Sequence, residues 1–264
     1  LYIMFRLLSF NVLHPEYALQ ERYPECKTLD WDQFRKPLVF QILREARADI
    51  MTLQETDLMR VDEYEREFGG DSFHIHFQYQ KGRKKDIEKW QANPDKVKKP
   101  NTCAVATLVR KSRFDVVEVV TKSRSMTTIV QDTGTKQKIG ITNVHLEASC
   151  GENMDKVHQT HIESILRFIL VERKDMPHII CGDFNAFPDS LALDLLKSRG
   201  FVRWNGGINK ATFMYFDRQE SIDHLLTTPE VKDVKVSWIE SKQKKIPNDE
   251  YPSDHLAIIY DIQL

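Results

Sequence analysis

Short apolar runs alternate with amphipathic stretches along nearly the whole chain. Residues 4–12 (MFRLLSFNV) predict a strand. Residues 34–48 predict a helix, with Phe34, Leu38, Ile42 and Ala46 four apart on one face and Asp30 or Asp32 as its N-cap. A short buried strand is expected over 49–53, ending at Gln54 and Glu55. Further strands are expected over 102–109, 115–120 and 139–146. A second helix over 156–172 would stack Val157, His161, Ile165 and Ile169, and a strand over 178–181 follows it. The pattern closes with a helix over 190–198 ended by Gly200 and with strands over 222–226, 234–239 and 256–262.

Several neighbouring strands are joined by short turn-rich links such as 131–135 (QDTGT), which implies antiparallel pairing rather than a purely alternating β/α order. No repeat and no Pro/Gly/Ser-rich linker divides the chain, so residues 1–264 are expected to form one catalytic domain. The architecture that fits is α/β, a two-sheet core with helices packed outside. Residues 81–100 stand apart, with eight Lys or Arg against three acids. They are expected to form a basic surface loop, on which Lys84 and Lys85 would meet a phosphate backbone and Trp90 would stack on a base.

Composition narrows the function classes. A net charge of −1 argues against whole-surface attraction to nucleic acid and leaves room only for a local basic groove. Cys26, Cys103, Cys150 and Cys181 are scattered without a CxxC pair, as expected of reduced thiols in a cytoplasmic or nuclear protein. No run approaches the ~18 apolar residues of a membrane span, so no membrane association is expected. The chain opens on Leu1 without an initiating Met, so it is expected to be a fragment, and an upstream targeting segment would escape notice.

Chemistry concentrates where strands meet turns. In Cys181-Gly182-Asp183-Phe184-Asn185 an apolar strand delivers a glycine, then a carboxylate and an amide at i and i+2, which an extended chain points the same way. Asp254-His255 precedes the last strand, and a carboxylate beside a histidine can fix its tautomer and stabilise its protonated form. Glu55 ends a buried strand, where its oxygens suit a hard cation. Asn11, Asn143 with His145 on one face, and Asp223 occupy comparable positions. Singly each is an ordinary polar residue at a strand end. Together they offer oxygen ligands for a magnesium ion and nitrogen donors for a developing negative charge. No Cys/His spacing suits zinc, and no Ser or Cys has the base and oxyanion motif of a covalent hydrolase.

The ordered set N, LQE, NxH, GDFN, ID and SDH, spread over residues 11–255, resembles the endonuclease/exonuclease/phosphatase superfamily. Residues 10–57, with Tyr17-Ala18, Tyr23, Cys26, Leu29-Asp30-Trp31 and Arg35, resemble its nocturnin/Angel-like deadenylase branch. The resemblance implies a four-layered α/β sandwich of two packed, mainly antiparallel sheets flanked by helices. It implies magnesium, with manganese as a substitute, held by Glu55 with Asn11 and with Asp223 near a second ion. It also implies Asp183 as the group that orients or deprotonates water, with Asn185 and His145 as donors to phosphoryl oxygens. Asp254 would then steady His255.

The implied activity is 3′–5′ exoribonuclease cleavage of single-stranded RNA to nucleoside monophosphates, with Phe213 and Tyr215 holding bases. A phosphatase acting on a nucleotide 2′-phosphate or a cyclic-phosphate RNA end is the alternative, and a DNA repair nuclease the third reading. Two departures keep the substrate open. Residues 125–132 (SMTTIVQD) lack the branch's Asn-Val-Ala signature, and 212–216 (TFMYF) replaces its usual approach to the Ile-Asp strand. A catalytically dead binding module would have lost a metal or base residue, and none is missing.

Overall fold

Strands buried on both faces read as continuous apolar runs rather than as alternation. The first strand, β1 (Met4–Asn11), is of this kind, with Leu7 facing one core and Leu8 another. A computed structural model describes the chain except residues 1, 25, 79–82, 149–152, 206–209, 216 and 243–244. Cys150, Phe216 and the first two residues of the basic segment therefore lie outside the described residues.

Six strands make the first sheet. They run in the order β13 (Asp233–Ile239), β14 (Ala257–Gln263), β1, β2 (Ile50–Asp57), β4 (Cys103–Arg110) and β3 (Phe73–Phe77). The second sheet runs β5 (Phe114–Lys122), β6 (Ser125–Asp132), β7 (Lys138–His145), β8 (His178–Asp183), β12 (Asp223–Thr227) and β9 (Val202–Trp204). Within these sheets β1–β2 and β7–β8 pair in parallel and the other neighbours pair antiparallel. A separate ribbon joins β10 (Phe213–Tyr215) to β11 (Arg218–Glu220).

The layers follow from three apolar clusters. Leu7, Ile50, Val109, Ile141, Ile179, Cys181 and Leu225 interdigitate between the sheets. Leu8, Phe10, Met51 and Leu53 on the outer face of the first sheet pack under α1 (Lys36–Glu45) and α2 (Val61–Phe68). Val144, Ile180 and Leu226 on the outer face of the second pack under α4 (Met154–Arg167) and α5 (Leu191–Ser198). The result is the expected four-layered α/β sandwich. All of β8 is buried, with Ile179 and Cys181 facing the core between the sheets and Ile180 the core under the helices.

Differences from the sequence expectation have local causes. A wider π turn over Trp31–Arg35, capped by the Asp30 carboxylate on the Gln33 N–H (2.7 Å), leads into α1. A π turn spends more residues per rotation, so the buried stripe becomes Val39, Ile42, Leu43 and Ala46, while Phe34 and Leu38 are only half-buried. In α4 the predicted Ile165 is buried, as is Ile169 just beyond the helix, but the stripe runs through His158, Ile162 and Leu166 instead of Val157 and His161, and the His158 ring donates to the Glu147 carbonyl (2.8 Å). The pattern does not predict β3, β6, β9, β10, β11 or α2. In β6 threonines occupy buried positions and interrupt the apolar period, and Thr127 pairs with Thr142 of β7 through their hydroxyls (2.9 Å).

The expected basic loop is a correction. Residues Arg83–Ala92 form α3, anchored by Ile87 against Leu58 and Ala104. An Ile among charged residues at helical spacing supplies the one apolar contact that a loop would not need. Among the described residues, Cys26, Cys103 and Cys181 form no disulfide.

Candidate active site

The ends of β1, β2, β7, β8 and β12 converge at one edge of the sandwich, and each brings a polar side chain with it. Asn11 sits at the centre. Its Oδ1 accepts the Leu13 N–H (2.9 Å), so its Nδ2 faces inward and donates to Asp183 Oδ2 (2.9 Å) and Glu55 Oε1 (3.2 Å). Asn11 thus presents a donor to the two carboxylates. Its oxygen, the expected metal ligand, accepts the Leu13 backbone N–H in this arrangement.

Glu55 reaches the site from a bulge in β2, where the register with β4 shifts between Leu53 and Thr56. Its backbone is left-handed, with φ +58°, as is that of Asn185 at +46°. Conformations of this kind cost non-glycine residues on the order of 1–3 kcal/mol and persist where surrounding contacts over-determine them. The turn before Asn185 needs its glycine. Gly182 has φ +132°, and a Cβ there would lie 2.2 Å from the Val144 carbonyl oxygen.

Asp183 Oδ1 accepts the Asn185 N–H (2.8 Å), and its Oδ2 lies 3.8 Å from His145 Nε2 and 3.7 Å from His255 Nε2. Asn185 spends one amide hydrogen on the Leu146 carbonyl (2.9 Å) and keeps the second. His145 Nε2 also stands 3.5 Å from Glu55 Oε1.

The partner of His255 is Asp223, whose Oδ2 accepts from His255 Nδ1 at 2.9 Å. This corrects the expected Asp254–His255 pairing. Adjacent residues point apart, and Asp254 turns instead to accept the Tyr23 hydroxyl (2.6 Å). Three backbone ties hold this loop. Ser253 Oγ donates to the Asn11 carbonyl (2.6 Å) and accepts the His255 N–H (3.1 Å). The fully buried Arg35 guanidinium donates to the Pro252 and Val12 carbonyls and to that of Leu13. Thr212 Oγ1 accepts the Asp223 N–H (3.1 Å) and so sets the start of β12.

Electrostatics separate the acids. Burial, reinforced by Asp223, pushes the Asp183 carboxyl up to about 6 against the opposing pull of His255 and His145. Burial acts the same way on Glu55, but His145, the His14 N–H and His255 outweigh it and hold the carboxyl below its usual range. Burial alone would lower His255, yet Asp223, Asp183 and Asp254 raise it well above the ordinary histidine value. Glu55, His145 and Asp183 form one group whose ligand atoms lie within 4.8 Å of one another, and Asp183, Asp223 and His255 form a second. Two buried carboxylates with a facing imidazole suit a divalent cation, and the oxygen-rich set favours a hard one.

The expected substrate contacts divide. Phe213 packs on His255 with ring centroids 4.9 Å apart, Tyr215 stacks on Phe213 at 6.3 Å, and Tyr23 meets Tyr215 edge-on at 5.8 Å. These rings form a ladder leading to the site. Trp90 on α3 lies instead under the Lys99 ammonium (5.5 Å), and Lys84 and Lys85 are exposed on the same helix. The residues 99–102 that follow reach the site's rim, where Lys99 pairs with Glu16 and Thr102 Oγ1 meets the His14 ring (3.2 Å).

Sequence reasoning missed His14, whose N–H donates to Glu55 Oε2 (2.8 Å), and His224. A buried Arg35 on an otherwise apolar helix phase was a readable signal. His14 and His224 gave none, because their partners are distant in sequence.

His224 backs the turn after Asp183. Its Nδ1 accepts from Arg203 Nε (3.2 Å), its Nε2 donates to the Ala186 carbonyl (2.8 Å), and its ring meets Phe184 edge-on. That pattern requires the neutral ring, and burial first, then Arg203, lowers its pKa from 6.5 to about 4. The unfolded chain binds this proton at higher pH than the folded one. Stability from this group is therefore complete above pH 6.5 and drains away by as much as about 3 kcal/mol as pH falls toward 4. Urea midpoints between pH 7 and 4 should fall less steeply in His224→Gln than in the unmodified protein. Parallel slopes would refute the assignment.

Among the described residues no helix is long and apolar enough to cross a membrane. The model of the endonuclease/exonuclease/phosphatase family matches residues 8–255. In sequence the chain is 22% identical to the Ccr4 3′-5′-exoribonuclease subunit of the Kluyveromyces lactis CCR4-Not complex, over 97% of this chain and 40% of that protein. It is 25% identical to the Arabidopsis thaliana carbon catabolite repressor protein 4 homolog 1, over 73% of this chain and 37% of that protein. The chain thus spans about two fifths of the length of these curated relatives. In structure it is similar to ANGEL2, a 2′,3′-cyclic phosphatase, in complex with adenosine-2′,3′-vanadate, with TM-score 0.76, 14% identity and coverage of 100% and 96% of the two chains. The human nocturnin catalytic domain matches with TM-score 0.71 and 16% identity, over 99% and 96%.

Proposed function

Because the chain belongs to the endonuclease/exonuclease/phosphatase family of hydrolases, we propose that it is one catalytic domain, a magnesium-dependent phosphodiesterase acting as a 3′–5′ exoribonuclease on single-stranded RNA. The observation that carries this reading is the convergence of Glu55, Asp183, Asn185, His145 and His255 beside the ring ladder of Phe213 and Tyr215. The likeness to the Ccr4 exoribonuclease supports the substrate class.

The geometry supports the following roles. Glu55 would hold the cation, and manganese would fit the same oxygens. When bound, the cation would neutralise charge on the transferring phosphoryl group and the leaving oxygen. Asp183, ionised above about pH 6, takes the proton of the attacking water, and Asn11 fixes the rotamer from which it does so. The free amide hydrogen of Asn185 and the Nε2–H groups of His145 and His255 face the phosphoryl oxygens, where negative charge grows. Asp223 holds His255 protonated and aimed, and Tyr23 with Asp254 braces the loop that carries it. Phe213 and Tyr215 would stack the terminal bases. Trp90, Lys84 and Lys85 would at most meet more distant nucleotides from α3.

A second reading, removal of a 2′-phosphate or a 2′,3′-cyclic phosphate from an RNA end or nucleotide, draws on the likeness to ANGEL2, and a DNA repair nuclease stands third. One assay sorts them. The protein is incubated with magnesium and 5′-labelled oligo(A), mixed RNA, single-stranded DNA, abasic duplex, RNA ending in a 2′,3′-cyclic phosphate, and a 2′-phosphorylated nucleotide. A ladder of shortened RNA is the expected result. Loss of the terminal phosphate without shortening would replace the first reading by the second, and cleavage of abasic duplex alone would favour the third.

A further inference from the structure

Asn143 and Gln54 meet between the sheets, fully buried, directly beneath the site. Asn143 belongs to β7 and lies two residues before His145, so both side chains cross from the second sheet to β2 of the first. The Asn143 amide nitrogen donates to the carbonyls of Leu53 (3.0 Å) and Ala106 (2.8 Å), and its Oδ1 accepts from Gln54 Nε2 (2.8 Å). Leu53 and Ala106 are the last aligned pair before the β2–β4 register breaks, and the next pair is Thr56 with Ala104. Gln54 and Glu55 are therefore the bulged residues, and the Asn143 amide satisfies the two carbonyls at the point where the ladder opens. A bulge re-aims the side chain it carries, and this one puts Glu55 at φ +58°. Gly182 completes the fit, since the position of its missing Cβ is 3.1 Å from Gln54 Nε2.

We infer that Asn143, seconded by Gln54, is a positioning residue that holds the β2 bulge open and thereby aims the Glu55 carboxylate at the cation. The inference rests on the reading of Glu55 as a metal-holding group. Asn143 itself is too deep to touch a substrate, and it acts from the opposite sheet on the backbone that carries Glu55. With His145 it forms a two-tooth comb, Asn143 setting the backbone of β2 and His145 meeting the side chain of Glu55 from the same face.

The test uses the full chain and Mn²⁺ alone, with free Mn²⁺ counted by electron paramagnetic resonance in the absence of substrate. Asn143→Leu should weaken Mn²⁺ binding by roughly 10- to 100-fold, the range expected when a group orienting a ligand is removed. Excess Mn²⁺ should then restore much of the lost turnover. Thr127→Val breaks another buried polar pair, that with Thr142, and serves as the structural control. It should lower the melting temperature and leave Mn²⁺ affinity unchanged. A folded Asn143→Leu with unaltered affinity overturns the inference. If Asn143→Leu does not fold, Gln54→Met decides, because it removes the donor to Asn143 Oδ1, together with that amide's bonds to the Thr52 carbonyl and Ser9 Oγ, and leaves the Asn143 side chain in place. Unchanged affinity in that variant also overturns the inference. Failure of the unsubstituted protein to bind Mn²⁺ would sink the metal reading itself, a distinguishable result.

Discussion

Asp183→Ala should lower turnover by ~10²–10⁴-fold, the usual contribution of a general base, without loss of the fold. The carboxyl is buried, sits within reach of both histidines and Asn11, and is pushed up to about 6. That places it near the pH at which a base both remains ionised and accepts a proton well. The same burial makes the ionised carboxylate a burden on the folded state. With the folded pKa above the unfolded value, the cost is absent below pH 3.8 and fully present above about 6. In chelator at pH 7 the variant should therefore melt no lower than the unsubstituted protein, because relief from that cost offsets the lost hydrogen bonds. A single-turnover assay beside a melting curve checks both halves. Near-native turnover in a folded Asp183→Ala protein would remove Asp183 from its role.

Asp223→Asn should cost a similar ~10²–10⁴-fold, as expected when the carboxylate behind a catalytic histidine becomes an amide that no longer stabilises its protonated form. Asp223 is the 2.9 Å partner of His255 and, after burial, the first cause of its altered pKa, so without that charge the imidazolium would lose its proton at lower pH. Activity that needs the protonated ring is lost as pH rises through its pKa. The alkaline limb of the pH–rate profile should consequently move to lower pH in Asp223→Asn. Asp254→Asn should move that limb less, since Asp254 bonds to Tyr23 and its charge raises His255 less than that of Asp223 does. Equal movement in both variants would contradict the pairing.

The division between Asp223 and Asp254 shows where sequence reading ends. Asp254 is adjacent to His255 in sequence, and only the fold brings Asp223, 32 positions away, to the imidazole. The strand ends that carry Asn11, Glu55, His145 and Asp183 were legible, because strands buried on both faces write themselves as apolar runs and stop at polar residues. The two-sheet core with helices packed outside was legible for the same reason. The β2 bulge was not, since it depends on an amide from the opposite sheet. The amide orientation of Asn11 was settled by a backbone N–H two residues on, which no pattern displays. Helix α3 was obscured by its charge, and β6 by threonines that pair with one another in the interior.

The central claim is that Glu55 anchors the cation site of a phosphoesterase. The most direct measurement is hydrolysis of 5′-labelled single-stranded RNA by the unsubstituted protein and by Glu55→Gln, in magnesium, in excess EDTA, and after magnesium is restored. The account predicts cleavage in magnesium, its loss in EDTA, its return on re-addition, and no more than residual cleavage by Glu55→Gln at the same magnesium concentration. Undiminished cleavage in EDTA, or by a folded Glu55→Gln, would contradict it.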